Sequence, residues 1–183
     1  MQFDLKIATK DWHPVDHISF AANHPGAQPY TSTTTIINPT NPSETYETRL
    51  WPVHCVQNTP GAKLVPELNV DNIDRIVEKG QRKEVEMYSA FYDPLTKPRC
   101  IDSGLAEVLK EAGIERVYVV GLAADYCVKA TALDAKTEGF KTFIVEDGTK
   151  AVDESTWETT KIEIEKAGVE IVRFDQGAVR ISS

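Results

Sequence analysis

A chain of 183 residues, 41% hydrophobic and 26% charged, has the composition of a soluble globular protein and the length of one domain. With 20 basic against 28 acidic residues the formal charge is -8, which argues against nucleic acid or an anionic membrane as partner, since both need clustered lysine and arginine. No apolar run approaches the roughly 18–20 residues that cross a bilayer and no secretory pattern opens the chain, so the expected location is the cytoplasm, with nucleus or peroxisome as variants.

In chain order, Phe3–Thr9 is the first strand expected. A stretch from about 20 to 70 follows, dense in Pro, Asn, Thr and Gly, and reads as a long functional loop because it carries clustered histidines and aromatics. Asp74–Lys79 is the second strand. Residues 104–112 place Leu105, Val108 and Leu109 on one helical face, with Asp102 or Ser103 as N-cap and Gly113 as the stop. The run Arg116–Gly121 is short, apolar and β-branched, the pattern of a buried parallel strand. Helix 126–138, strand 141–146, helix 154–167 and strand 169–174 complete the series. Alternation at this spacing implies βαβ units around a five-stranded, mostly parallel sheet.

In such sheets ligands bind at the carboxyl ends of strands. There the first strand runs into Asp11-Trp12-His13-Pro14 and then His17, the second ends on Lys79-Gly80, and 116–121 runs into Asp125-Tyr126-Cys127. Cys127 opens a helix, where the dipole and free N–H groups favour a thiolate and could hold an oxyanion; a buried, inert thiol is the alternative. Lys79 beside it would favour the thiolate, although a strand-end lysine can simply point into solvent. An Asp-x-His pair suits a divalent metal and needs a third ligand, for which His54 is the obvious supplier, with His17 and His24 in reserve. Three cysteines without metal-knuckle spacing give no disulfide framework.

Taken together, Asp11-Trp-His-Pro14, His17-Ile-Ser-Phe20, Trp51-Pro-Val-His-Cys55, Lys79-Gly80, Tyr88-Ser-Ala-Phe91 and Gly121-Leu-Ala-Ala-Asp-Tyr-Cys127 closely resemble the nicotinamidases of the isochorismatase-like hydrolases, the fungal type in particular. The resemblance implies a Rossmann-like three-layer α/β/α fold over a single domain, 1–183, and hydrolysis of nicotinamide to nicotinate and ammonia in NAD salvage. It implies Cys127 as nucleophile, Lys79 as triad lysine, and the N–H groups of Ala123 and Cys127 as oxyanion hole. The Leu122–Ala123 peptide would be cis. Asp11, His13 and His54 would bind a metal, commonly zinc, with iron or manganese as variants. Trp51, Tyr88 and Tyr126 would line the flat ring of the substrate, nicotinamide. Homo-oligomerisation stays open.

The family's third triad member is an aspartate in a pattern like Val-Asp-x-Gln-x-Asp-Phe at the end of a preceding central strand, and nothing in residues 1–183 matches it. The resemblance therefore implies a chain lacking that strand and the first helix, with residual activity at most. The open slot would be closed by strand 3–9 against 116–121, filled by another chain, or left unstable. The competing functions are a catalytically silent nicotinamide- or metal-binding relative and a hydrolase of another small amide.

Overall fold

The computed structural model describes residues 3–174. They divide into two compact units: Leu5–Met87 with Tyr92–Asp102, and Tyr88–Phe91 with the chain from Ser103 on, together with the residues before Leu5.

In the first unit, β1 (Ile7–Asp11) pairs in parallel with β4 (Arg75–Lys79), in a register that runs from Ile7 opposite Arg75 to Asp11 opposite Lys79. The strand begins four residues later than the expected Phe3–Thr9. Its ladder has a fixed start, because the Asp74 carboxylate accepts the Lys6 N–H at 2.7 Å and the Asp74 N–H returns a bond to the Lys6 carbonyl at 2.8 Å. Between these strands the supposed long loop holds an antiparallel hairpin, β2 (Thr33–Asn38) and β3 (Asn41–Arg49). Its side chains alternate, Ile36 fully buried and Ile37 exposed, as a half-solvated ladder requires. Asn38 closes the turn by accepting the Thr40 N–H and hydroxyl. Phe20, Ile36, Leu50, Val85, Met87 and Leu95 are the large buried side chains of this unit.

The second unit follows the βαβ expectation closely: α1 (Leu105–Glu111), β5 (Arg116–Leu122), α2 (Lys129–Thr137), β6 (Lys141–Lys150), α3 (Trp157–Lys166) and β7 (Glu170–Val172). The strands form a parallel sheet in the order β5-β6-β7. β6 buries both faces, the mark of a covered parallel strand. Ile144 packs with Val119, Val128, Ala132, Ile164 and Val169, and on the other side Phe143 and Val145 meet Val172 and Tyr118.

Four expectations change. The described residues hold seven strands instead of five. They form three sheets, β1-β4, β2-β3 and β5-β6-β7, in place of one five-stranded sheet. Helix α1 is preceded by Gly104, whose left-handed φ of 70° neither Asp102 nor Ser103 would adopt readily; Ser103 contributes its hydroxyl oxygen to the Leu105 N–H instead. α3 starts at Trp157 because Asp153 draws Ser155 into a turn through its N–H and hydroxyl.

Candidate active site

The in-register ends of β1 and β4 build the first half of the site. Residues opposite each other in a parallel pair point the same way, so Asp11 and Lys79 emerge side by side. Lys79 Nζ donates to Asp11 Oδ1 at 2.5 Å and to the Met87 carbonyl at 3.4 Å, with 4% of the lysine exposed. The other carboxylate oxygen, Oδ2, looks toward His54 Nε2 at 3.6 Å and His13 Nε2 at 4.0 Å.

Each of these histidines is oriented from behind. His13 Nδ1 donates to the Gly80 carbonyl and His54 Nδ1 to the Pro52 carbonyl, both at 2.8 Å. A carbonyl only accepts, so each neutral ring carries its proton on Nδ1 and presents the bare Nε2. Gly80 is required beside His13: its φ is 68°, and a Cβ there would stand 2.5 Å from the ring's Nδ1. Segment 50–57 is pinned to 13–21 by backbone bonds from His13 N to Cys55 O, Gln57 N to His13 O, Trp51 N to Ser19 O and Ala21 N to Trp51 O. That is how a histidine 41 positions along the chain from His13 reaches its side (54 − 13). The rings of His13, His17 and His54 pack around Phe20 at 5.4–5.6 Å.

The electrostatics suit a cation. Burial alone would raise the Asp11 pKa, but the Lys79 ammonium, with His54 and His13 beside the carboxylate, holds it well below the carboxylate range. Burial pushes the His13 pKa down, keeping the ring neutral and its Nε2 available. His54 moves the other way: burial opposes its charge, yet the Asp11 carboxylate beside it and the Pro52 carbonyl raise its pKa. Ligand atoms of Asp11, His13 and His54 all lie within 4.8 Å of one another. One carboxylate with two imidazoles is a donor set for a divalent ion.

The reserve ligands are engaged elsewhere. His17 Nδ1 accepts from the Ser19 hydroxyl and N–H, while its Nε2 donates to the Val85 carbonyl. Burial takes its pKa down to about 4. His24 Nε2 bonds the Ile18 carbonyl at 2.6 Å. Trp51 is buried, with the Tyr30 ring edge-on at 5.8 Å. One participant had no sequence signal. Glu86 is buried, accepts the Met87 N–H at 2.9 Å, and its charge raises the pKa of His13, His17 and His54. Between Val85 and Met87 it looks like an outward residue of an alternating run, and burial of a carboxylate cannot be read from that.

The second unit carries Cys127. β5 ends at Leu122, the Leu122–Ala123 peptide is cis as the motif implies, and Gly121 just before has a φ of 108°. Cys127 does not open a regular α-helix. It sits half-buried in a wide π-type turn, Ala124–Val128, in which the Ala123 carbonyl accepts both the Tyr126 and Val128 N–H groups at 3.1 and 3.0 Å; α2 continues from there. Such turns recur at functional sites. Tyr88 and Tyr126 meet edge to face with centroids 5.3 Å apart. Thus Asp11, His13, His54 and Lys79 gather in one unit with Trp51 in the same segment, and Cys127, Ala123, Tyr126 and Tyr88 in the other.

Fold and site together describe an α/β protein with a metal-type trio and a turn-borne thiol. The isochorismatase domain model matches residues 16–176. A nicotinamidase of Acinetobacter baylyi is 44% identical over 151 residues, which take in 82% of this chain and 65% of that protein; the chain spans just under two thirds of that relative's length. The yeast nicotinamidase bound to the inhibitor nicotinaldehyde superposes with a TM-score of 0.85 at 36% identity, covering 93% of this chain and 80% of that one. A pyrazinamidase of Pyrococcus horikoshii in complex with zinc gives 0.66 at 35% identity, covering 93% and 75%. The chain belongs to the isochorismatase-like hydrolases, among the nicotinamidases, and the similarity extends to bacterial members as well as the fungal type.

Proposed function

We propose that this protein hydrolyses nicotinamide to nicotinate and ammonia, with Cys127 as the nucleophile. The observation that carries the proposal is Asp11 divided between Lys79 and the two Nε2 atoms of His13 and His54, the metal-and-lysine half of a nicotinamidase site. In this reaction the Cys127 sulfur forms a bond to the carboxamide carbon, the carbon–nitrogen bond breaks, and the nitrogen leaves as ammonia carrying the proton that the thiol gave up. Water then cleaves the thioester, giving nicotinate and restoring the thiol. The Ala123 and Cys127 N–H groups hold the oxyanion. Lys79, fixed by Asp11, is the lysine of the family's motif. Trp51, Tyr88 and Tyr126 are flat partners for the pyridine ring.

A divalent ion, with zinc as the first choice, would be held by Asp11, His13 and His54. When bound it supplies a Lewis-acidic docking point for the ring nitrogen. The test is ammonia release from nicotinamide by the zinc-loaded protein against a Cys127→Ala blank. Release above the blank at any rate is expected. A folded, zinc-loaded protein that releases no ammonia above the blank would overturn the proposal, and stabilisation by nicotinamide without release would favour the silent binding relative.

A further inference from the structure

The turn that carries Cys127 is gripped by the segment that follows β6. Asp125, two residues before the thiol, reaches across 27 residues of sequence: its Oδ1 accepts the Val152 N–H at 2.9 Å and its Oδ2 accepts the Asp153 N–H at 3.1 Å. Both donors lie in the connection that leaves β6. That connection is itself tied to the end of β5. Gly121 and Leu122 pair with Thr149 and Lys150, and the Thr149 hydroxyl donates to the Gly121 carbonyl at 2.7 Å. Beyond Val152 the connection is rigidified by Asp153, which bonds the Ser155 N–H and hydroxyl, and by Thr156, whose hydroxyl returns to the Asp153 carbonyl.

A carboxylate with two backbone N–H donors is charge-assisted and directional, unlike packing by Ala124 or Val128. Loop backbone otherwise tends to be the most mobile part of a fold. A thiol placed an ångström off line can lose orders of magnitude in rate.

We propose that Asp125 is a positioning residue for Cys127: it bonds the Val152 and Asp153 N–H groups, clamps turn 123–128 to the strap leaving β6, and so sets where the sulfur stands. The proposal rests on Cys127 being the nucleophile.

The test compares Asp125→Asn and Asp125→Ala with the parent chain, after circular dichroism shows all three folded. Two readouts are taken, kcat and KM for nicotinamide and the rate at which iodoacetamide alkylates Cys127. Asp125→Ala is expected to lower kcat about 10–100-fold with KM within about threefold, and to slow alkylation several-fold. Asp125→Asn keeps one acceptor oxygen and is expected to fall between alanine and the parent. Thr149→Val, which loosens the same strap, should lower kcat in the same direction by less. Equal effects of asparagine and alanine, or alkylation that speeds up in both, would show that the carboxylate acts by charge and overturn the proposal. Unchanged kcat and alkylation in a folded Asp125→Ala protein, with only the melting temperature lowered, would overturn it too. Alkylation needs no substrate, so a parent chain that leaves nicotinamide untouched would sink the functional proposal while the clamp is still decided by the thiol's reactivity.

Discussion

The two units reach order by different means. The one with Cys127 is a repeating strand–helix series around an apolar centre, Ile144 and Ile164 fully buried among aliphatic neighbours. The one with the metal trio has a two-stranded ladder and a hairpin, and much of the remainder is irregular. Its order comes from cross-bracing: His13 to Gly80, His17 to Val85, Asn38 to Pro98, Tyr46 to Glu86, and Asp93 to the N–H groups of Leu95, Cys100 and Ile101. Apolar packing is tolerant of which side chain fills a volume, whereas a buried polar bond tolerates only its own partner. The difference suggests that the regular unit supplies stability and the braced one holds donor atoms at fixed separations.

Asp11→Ala is the sharpest way to break that comparison. It removes one member of the proposed metal trio and the carboxylate beside buried Lys79, so it should cost about 3 kcal/mol in urea unfolding and reduce zinc affinity by orders of magnitude in a chelator competition. Ile144→Ala in the other unit should also cost about 3 kcal/mol, through the cavity it opens, yet leave zinc affinity unchanged. If Ile144→Ala weakens zinc binding as strongly as Asp11→Ala, the division of labour is wrong.

The smallest effect concerns Glu44, which binds the Asn38 amide and the Thr96 and Lys97 N–H groups. The Asn38 amide first, then the Thr96 and Lys97 donors, draw its pKa from 4.5 to about 2. A carboxylate depressed on folding adds stability that is fully present above its unfolded pKa and lost as pH falls through the folded one. Glu44→Gln should therefore flatten the dependence of melting temperature on pH between about 4.5 and 2, and lower the melting temperature slightly at pH 7, where the bonded carboxylate contributes in full. An unchanged acid profile would remove this brace from the account.

What could be read in the sequence follows the same division. In residues 104–174 periodicity gave each helix and strand to within a few residues, because there the apolar pattern is the fold. The hairpin β2–β3 escaped although Thr33–Ile37 is rich in β-branched residues, since the prolines and asparagines around it look like loop when no partner strand is known. Asp11, His13, His54 and Lys79 were legible as motifs, and the ladder explains why the two strand ends meet. Glu86 and the grip of Asp125 were not, because both depend on which distant backbone comes near, and no local spacing encodes that. The thiol was expected on the first turn of an α-helix and stands instead in a wide turn before one, a difference of one hydrogen bond that residue preferences do not specify.

The shared carboxylate of Asp11 has a consequence for assembly. With Oδ1 already neutralised by the lysine and both imidazoles held from behind by carbonyls, the receptacle carries its own internal counter-ion before any metal arrives. Zinc-finger modules are different, since there the ion is the reason the polypeptide folds at all. Here an ion would enter a finished socket and leave one behind, so loading would be an exchange with the surrounding metal pool and not a stage in the birth of the protein.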